Sequence, residues 1–182
     1  MKVLNFGSLN IDYTYSVAHI VREGETILAK DVRMNLGGKG FNQSVALSRA
    51  GVPVFHAGLV GEEGLDFYDA CENCGIRTDF MKTVTGRCGH TVIQVDDEGQ
   101  NSILLFGGAN HKNSREFVDE VLANFDTGDV ILLQNEINEL PYIIDQAFAK
   151  GMMIILNPSP YDERLDECDL GKISLFILNE TE

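Results

Sequence analysis

Residues Asn35 to Gly51 read NLGGKGFNQSVALSRAG and join a glycine-rich loop to the start of an amphipathic helix. The apolar spacing from Phe41 to Ala50 predicts the helix, and Gly51 follows it where glycine commonly ends a helix. The glycines allow another part of the backbone to approach closely, while Lys39 and Asn42 supply hydrogen-bond donors near the first helical turn. A loop of this kind suits the hydroxyl groups of a sugar.

The loop differs from the two common phosphate-binding motifs. A Walker A loop has G-x-x-x-x-G-K followed by Ser or Thr, whereas Lys39 is followed here by Gly40 and Phe41. A dinucleotide fingerprint needs a third glycine where this chain has Gln43. Such a fingerprint also follows the first core strand, whereas this loop follows the strand-like segment 26–34. Gly38 and Gly40 leave a nicotinamide-dependent oxidoreductase as a minor alternative.

Short apolar runs alternate with helical patterns on both sides of this loop. Runs rich in Val, Ile and Leu predict buried strands at 3–6, 52–60, 130–133, 152–156 and 175–178. Helical patterns occupy 41–50, 65–74, 115–125 and 140–150. The alternation predicts an α/β fold, a three-layer sandwich with a mostly parallel central sheet. We expect Asn113, with Glu116 three residues later, to cap the third helix.

Two segments break the alternation, because 26–34 and 88–106 carry strand-like sequence without a helical period. The stretch 96–101 reads DDEGQN and is typical of a hairpin turn. We predict a small β-sheet, with strands from about 13–36 and 88–106, that projects from the single domain 1–182 as a lid over a binding site. A hairpin without a binding role is the alternative.

Composition excludes several classes of function. The 182 residues fit one domain, and the formal net charge of −14 argues against nucleic acid partners, which bind through Lys and Arg. There is no run of 18 apolar residues, and the amino-terminal segment lacks signal-peptide features, so we expect a cytoplasmic protein with reduced cysteines. Cys71 and Cys74 form a C-x-x-C without further ligands at zinc spacing, and we interpret them as helix cysteines without a metal.

Polar side chains follow four predicted strands at their carboxyl ends, where open parallel sheets bind ligands. These residues are Ser8, Asn10 and Asp12 after the first strand, Gln134, Asn135 and Glu136 after the third, Asn157 after the fourth, and Asn179 and Glu182 after the fifth. Carboxylates, amides and an ammonium group at fixed positions suit a neutral polyol, whereas Asp12 and Glu136 would repel a phosphorylated substrate. Any one of these residues could instead be a turn former or helix cap.

Several motifs occur together in a characteristic order. They are GSLNID (7–12), GE (24–25), GGKGFNQ (37–43), GGAN (107–110), Glu136 after a core strand, NPSP (157–160) and LNETE (178–182). Their order and spacing resemble the amino-terminal portion of the ribokinase family of carbohydrate kinases. The resemblance covers the whole chain, and the combination of GGKG-x-NQ, N-x-D and N-E-T-E is more specific than any single motif.

The resemblance implies a β lid that closes over a sugar, and transfer of the ATP γ-phosphate to the 5-hydroxyl of D-ribose with Mg²⁺ and a monovalent cation such as K⁺. It implies that the sugar is held by Asn10, Asp12, Gly38, Lys39, Asn42 and Glu136, with Thr91 and Ile93 lying over it. It further implies that Asn179 faces the nucleotide phosphates and that Glu182 helps to organise the magnesium ion. An exposed edge of the lid could pair with a second copy, so we expect a homodimer through the lid.

One signature of the family, D-T-x-G-A-G-D, does not occur in these 182 residues. The resemblance assigns to that signature the anion hole and the aspartate that accepts the proton of the attacking hydroxyl. Because phosphoryl transfer depends on positioning and charge stabilisation, we expect these residues alone to be inactive. Two alternatives stay open: a non-catalytic sugar-binding remnant, and a kinase of another sugar or nucleoside such as fructose or pseudouridine.

Overall fold

A six-stranded parallel sheet forms the centre of the protein in a computed structural model, which describes residues 1–179. The strands of these residues are β1 (Val3–Phe6), β2 (Asn10–Ser16), β3 (Asp31–Gly37), β4 (Val54–Val60), β5 (Arg77–Thr83), β6 (Gly89–Val95), β7 (Asn101–Phe106), β8 (Val130–Gln134), β9 (Met153–Asn157) and β10 (Leu175–Phe176). The α-helices are α1 (Lys39–Arg49), α2 (Asp66–Asn73), α3 (Arg115–Leu122) and α4 (Leu140–Ala149). The large sheet has the order β10-β9-β8-β1-β4-β5. No helix in this part of the chain is long and apolar enough to cross a membrane.

Helices cover both faces of the parallel sheet. Successive side chains of β1 point to opposite faces, so Leu4 and Phe6 enter one core while Val3 packs against the other. Helices α3 and α4 contribute to the first core, and α1 and α2 contribute Phe41 and Phe67 to the second. The arrangement is a three-layer α/β sandwich, which confirms the predicted fold class.

The central strands end at the same level on one edge of the sheet. Phe6 at the end of β1 lies beside Leu133 of β8, and Gln134 at the end of β8 lies beside Asn157 at the end of β9. The polar segments that follow these strands therefore leave the sheet together, at the edge where open parallel sheets bind ligands.

A second sheet, with the order β3-β2-β6-β7, follows from this edge because residues 7–9 alone connect β1 to β2. β2 pairs antiparallel with β3 and parallel with β6, and β6 pairs antiparallel with β7. The predicted hairpin turn lies between β6 and β7, where Asp96 Oδ1 accepts the N–H groups of Glu98 at 3.0 Å and Gln100 at 2.9 Å. We call these four strands the small sheet.

Some details differ from the sequence prediction. β2 starts at Asn10, three residues before the predicted range of about 13–36. β5 is not predicted, because only Met81 of this edge strand is buried and no apolar run marks it. The expectation that Asn113 caps α3 is wrong: Ser114 Oγ accepts the N–H of Phe117 at 3.2 Å, and the Asn113 amide donates to Asn110 O at 2.9 Å.

Buried polar side chains fasten α1 to the parallel sheet. Asn5 of β1 donates its Nδ2 to Gly40 O at 2.6 Å and to Ser44 Oγ at 2.8 Å. Ser44 Oγ in turn lies 2.8 Å from His56 Nδ1, so the buried imidazole is part of the same hydrogen-bond chain. Burial lowers the pKa of His56 to about 4. The ring is therefore uncharged in the folded protein at neutral pH.

Protonation of His56 should make the fold acid-sensitive. Below pH 6.5, the ordinary pKa of histidine, His56 takes up a proton in the unfolded chain. In the folded chain it stays neutral down to about pH 4, because its pKa is lowered to that value. The contribution of neutral His56 to the free energy of unfolding is therefore full above pH 6.5. It is lost as the pH drops toward 4, by an amount of order 3 kcal/mol. Urea unfolding at several pH values measures the loss. His56→Gln should flatten the curve in this window, whereas His19→Gln at a half-exposed site should leave it unchanged; equal slopes for His56→Gln and wild type would refute the assignment.

Candidate functional site

A cavity of about 410 Å³ lies between the carboxyl edge of the parallel sheet and the small sheet. The residues that line it come from both sheets, from the start of α1 and from the segment after β9. They are Asn10, Asp12, Gly38, Lys39, Asn42, Thr91, Ile93, Ile103, Leu105, Glu136 and Pro160. All eight positions that the sequence predicts for sugar contacts are in this lining.

Two glycines bring α1 against the connection between β1 and β2. A Cβ atom on Gly40 would lie 2.4 Å from Ser8 N, so a larger residue does not fit there. Gly38 precedes the helix with a φ of 93°, a conformation that favours glycine. The loop follows β3 of the small sheet and not a strand of the parallel sheet, unlike a dinucleotide fingerprint. The glycines therefore serve close packing at the cavity.

Glu136 joins the segment after β8 to the other two segments at this point. Its Oε2 accepts the N–H of Lys39 at 3.0 Å and the hydroxyl proton of Ser8, and Ser8 Oγ accepts the N–H of Gly40 at 3.1 Å. Its Oε1 lies 3.8 Å from Lys39 Nζ. The carboxylate is buried at the amino terminus of α1, where free N–H groups and the helix dipole stabilise negative charge.

Asp12 and Thr91 form the part of the cavity wall that belongs to the small sheet. The two residues are paired across β2 and β6, and the Thr91 hydroxyl donates to Asp12 Oδ1 at 2.6 Å. Burial raises the pKa of Asp12, and the hydrogen bond from Thr91 offsets part of that effect. Within residues 1–179 no hydrogen bond reaches Asp12 Oδ2, so this oxygen can accept a hydrogen bond from a ligand hydroxyl.

An apolar wall completes the cavity. Ile93 of β6 is paired with Ile103 of β7, and Thr91 is paired with Leu105, so these side chains share one face of the small sheet. Ile103 and Leu105 were not predicted to line the site. The alternation of side chains along a hairpin strand would have indicated them, once the register opposite Thr91 and Ile93 was known.

Two polar residues at the strand ends lie outside the cavity lining and hydrogen-bond to neighbouring parts of the protein. Gln134 donates its Nε2 to Asn5 Oδ1 at 2.9 Å and to Gln43 Oε1 at 2.6 Å. Asn135 donates its Nδ2 to Pro160 O at 2.6 Å and so fixes a residue of the lining. Both lie at the expected edge, but their amide nitrogens donate to groups of the protein, and within residues 1–179 the buried oxygens Gln134 Oε1 and Asn135 Oδ1 have no hydrogen-bond partner.

A second cavity of about 360 Å³ adjoins the first and shares Lys39 and Asn42 with it. The other residues of its lining are Gln43, Asn157, Ser159, Ile177, Leu178 and Asn179. Amides, a hydroxyl and one ammonium group are suitable partners for phosphate oxygens. Asn179, which the sequence predicts for nucleotide phosphates, is therefore next to the predicted sugar contacts.

The described residues offer no metal centre of their own. Among residues 1–179, no group of three or more His, Cys, Asp or Glu side chains could hold a metal ion. Glu182, the residue expected to organise magnesium, lies outside the described residues. Cys71 lies buried in α2, and Cys74 follows that helix directly.

Comparison with known proteins identifies a family and relatives of this chain. The model of the pfkB family of carbohydrate kinases matches residues 1–182. The ribokinase of Arabidopsis thaliana is 33% identical over 184 residues, which cover 97% of this chain and 48% of the plant protein. The chain thus spans about half the length of this relative.

Solved structures give the same result. The structure of ribokinase from Cryptococcus neoformans var. grubii serotype A in complex with ADP has a TM-score of 0.87 and 34% identity, covering 100% of this chain and 59% of that protein. The structure of Arabidopsis thaliana ribokinase complexed with ribose and ATP has a TM-score of 0.73 and 30% identity, covering 87% of this chain and 53% of that protein.

Replacing Glu136 by Ala should destabilise the fold by about 2 kcal/mol or more. The change leaves the N–H of Lys39 and the hydroxyl of Ser8 without their buried, charged acceptor. Urea denaturation measures the difference in unfolding free energy. Glu120→Ala removes an exposed ion pair with Lys82 and should stay within about 0.5 kcal/mol of wild type. Equal stability of the two variants would contradict the role given to Glu136.

Proposed function

The chain belongs to the pfkB family of carbohydrate kinases, and from this premise we propose that it forms the sugar-binding part of an ATP-dependent kinase acting on the 5-hydroxyl of D-ribose. One observation carries the proposal. Eight residues predicted from separate motifs line a single cavity, although they come from β2, β6, the start of α1 and the segment after β8.

The chemistry of this cavity fits a neutral sugar. Asp12 and Glu136 offer carboxylate oxygens to hydroxyl protons, while Lys39 and Asn42 offer donors to hydroxyl oxygens. The apolar wall of Ile93, Ile103 and Leu105 would cover the carbon face of a sugar ring. Two carboxylates also disfavour a substrate that already carries phosphate, which is the selectivity that a kinase requires at this site.

The small sheet would act as the lid. Its β2 and β6 carry Asp12 and Thr91, so closure over a sugar would bring these binding groups and the apolar wall down together. Excluding water from the reacting hydroxyl strengthens electrostatic interactions and prevents loss of phosphate to water. Lys39, shared by both cavities, would be placed between the sugar and the phosphates.

The second cavity would receive the nucleotide phosphates, with Asn42 and Asn179 among its amides. When bound, Mg-ATP supplies the phosphoryl group and neutralises part of its charge. Magnesium usually takes only one or two carboxylates besides water and phosphate oxygens, so Glu182 is a reasonable ligand in the proposal. The described residues do not identify a site for K⁺.

The alternative is a sugar-binding protein without kinase activity. Its basis is that the D-T-x-G-A-G-D signature, to which the resemblance assigns the base for the sugar hydroxyl, does not occur in these 182 residues. Both functions use the same sugar site, and they differ only in phosphoryl transfer. Fructose and pseudouridine remain alternative substrates within the kinase proposal.

Ribose binding tests the sugar site directly. Isothermal titration calorimetry should detect D-ribose binding to the chain, and Asp12→Ala should weaken it at least tenfold because a half-buried charged acceptor is lost. Asp31→Ala, at an exposed position at the start of β3, should bind as wild type does. With Mg-ATP added, these residues alone should form no ribose 5-phosphate. Failure of ribose, fructose and pseudouridine to bind would contradict the proposal.

We also propose that two copies pair through the small sheet. Met34, Tyr13, Val92 and Leu104 lie in one row across β3, β2, β6 and β7 on the face away from the cavity. Met34 and Leu104 are 59% and 71% exposed, and β3 and β7 are open edges. Exposed apolar edges of this kind favour pairing with another chain.

Light scattering after gel filtration tests this association. The chain should elute with twice its monomer mass, and Leu104→Asp should shift it to the monomer because a charge would be buried in the contact. Leu65→Asp, at a 59% exposed position before α2, should leave the mass unchanged. A monomeric wild type at tens of micromolar would refute the dimer without affecting the sugar site.

A further inference from the structure

Asn110 is a buried residue next to the candidate sugar cavity that has no role in the function described so far. It is 1% exposed and belongs to the short 3-10 helix Gly108–His111, after the small sheet. Its side chain is held against the connection between β1 and β2, where Leu9 N donates to Asn110 Oδ1 at 3.0 Å. Asn110 Nδ2 then donates to Asn10 Oδ1 at 2.7 Å.

These contacts fix the orientation of the Asn10 amide. The N–H of Leu9 can only donate, so it requires the oxygen of Asn110 on its side. The nitrogen of Asn110 must therefore face Asn10, and Asn10 accepts this hydrogen bond with its side-chain oxygen. Asn10 lines the cavity, and within residues 1–179 its Nδ2 has no hydrogen-bond partner. The donor of Asn10 is thus left for a ligand.

The surroundings keep this amide pair in place. Gly89 lies opposite Asn10 on β6, and a Cβ atom there would lie 2.1 Å from Asn110 Nδ2 and 2.2 Å from Asn10 Oδ1. Only glycine leaves that space to the two amides. On the other side, Asn110 O accepts the Asn113 amide at 2.9 Å and the N–H of Asn138 at 3.3 Å, which anchors the backbone of Asn110.

We propose that Asn110 is a positioning residue that makes Asn10 a hydrogen-bond donor to a hydroxyl or ring oxygen of the sugar. The inference rests on the proposed sugar site. Asn110 itself touches no substrate, since it is absent from the cavity lining. It determines which end of the Asn10 amide the sugar meets, and the residue thereby contributes to recognition from outside the cavity.

Asn110→Asp reverses the pattern with almost no change of shape. One carboxylate oxygen still accepts from Leu9 N, and the other now faces Asn10, which must turn its Nδ2 toward Asp at position 110. Asn10 then presents an oxygen to the sugar. Ribose affinity, measured by calorimetry, should fall at least tenfold. Because ribose is neutral, the added charge does not itself repel the ligand.

A double-mutant cycle separates positioning from general damage. Asn10→Ala should also weaken ribose binding, and Asn110→Asp added to Asn10→Ala should change the affinity less than twofold, because the amide that it reorients is gone. If the two substitutions acted as independent structural defects, their losses of ribose affinity would instead multiply. Multiplied losses, or wild-type affinity of Asn110→Asp, would overturn the proposal.

Two further variants serve as a control and as a substitute for Asn110→Asp. Asn124→Asp makes the same chemical change at an amide that donates to Glu120 O at 2.9 Å and lies outside the cavity lining; it should leave ribose affinity within twofold. If Asn110→Asp does not fold, Gly89→Ala takes its place in the same cycle, because its methyl group displaces the amide pair from the opposite side. Absence of ribose binding by the wild type would instead overturn the proposed function.

Discussion

The candidate site depends on the hydrogen bonds that the carboxylate of Glu136 accepts at the amino terminus of α1. This carboxylate accepts from the backbone of Lys39 and from the hydroxyl of Ser8, and so connects the end of β8, the start of α1 and the link between β1 and β2. The close contact of Gly40 with Ser8 makes this geometry possible. A residue of the cavity lining is thereby also a structural one, which explains why a carboxylate is tolerated at a buried position.

The same connection carries the small sheet. Because residues 7–9 lead from a central strand directly into β2, the position of Asn10 and Asp12 relative to Glu136 is set by the backbone and not by a long loop. The cavity is consequently formed between two sheets joined by short links. Its polar groups lie near these links, and its apolar wall of Ile103 and Leu105 lies on β7, the strand farther from them. The arrangement suits a lid that orients a ligand with polar groups and covers it with apolar ones.

Much of this could be predicted from the sequence, because short apolar runs and a glycine-rich loop record backbone requirements directly. These patterns predicted the parallel sheet and its covering helices, and the family resemblance pointed to eight of the eleven residues that line the cavity. β5 was not, since an edge strand with only Met81 buried carries no periodic apolar pattern. Ile103 depends on the register of a hairpin, and the roles of Gln134 and Asn110 depend on contacts between distant segments. Such pairings leave no local pattern in a single sequence.

We propose that the cavity between the two sheets is the site of a sugar, and a crystal structure of the chain grown with D-ribose is the decisive test. We expect ribose in this cavity, with hydroxyl groups on Asp12 Oδ2 and Asn10 Nδ2 and its carbon face against Ile103. Ribose bound elsewhere on the protein, or an empty cavity at a saturating concentration of ribose, would contradict the claim.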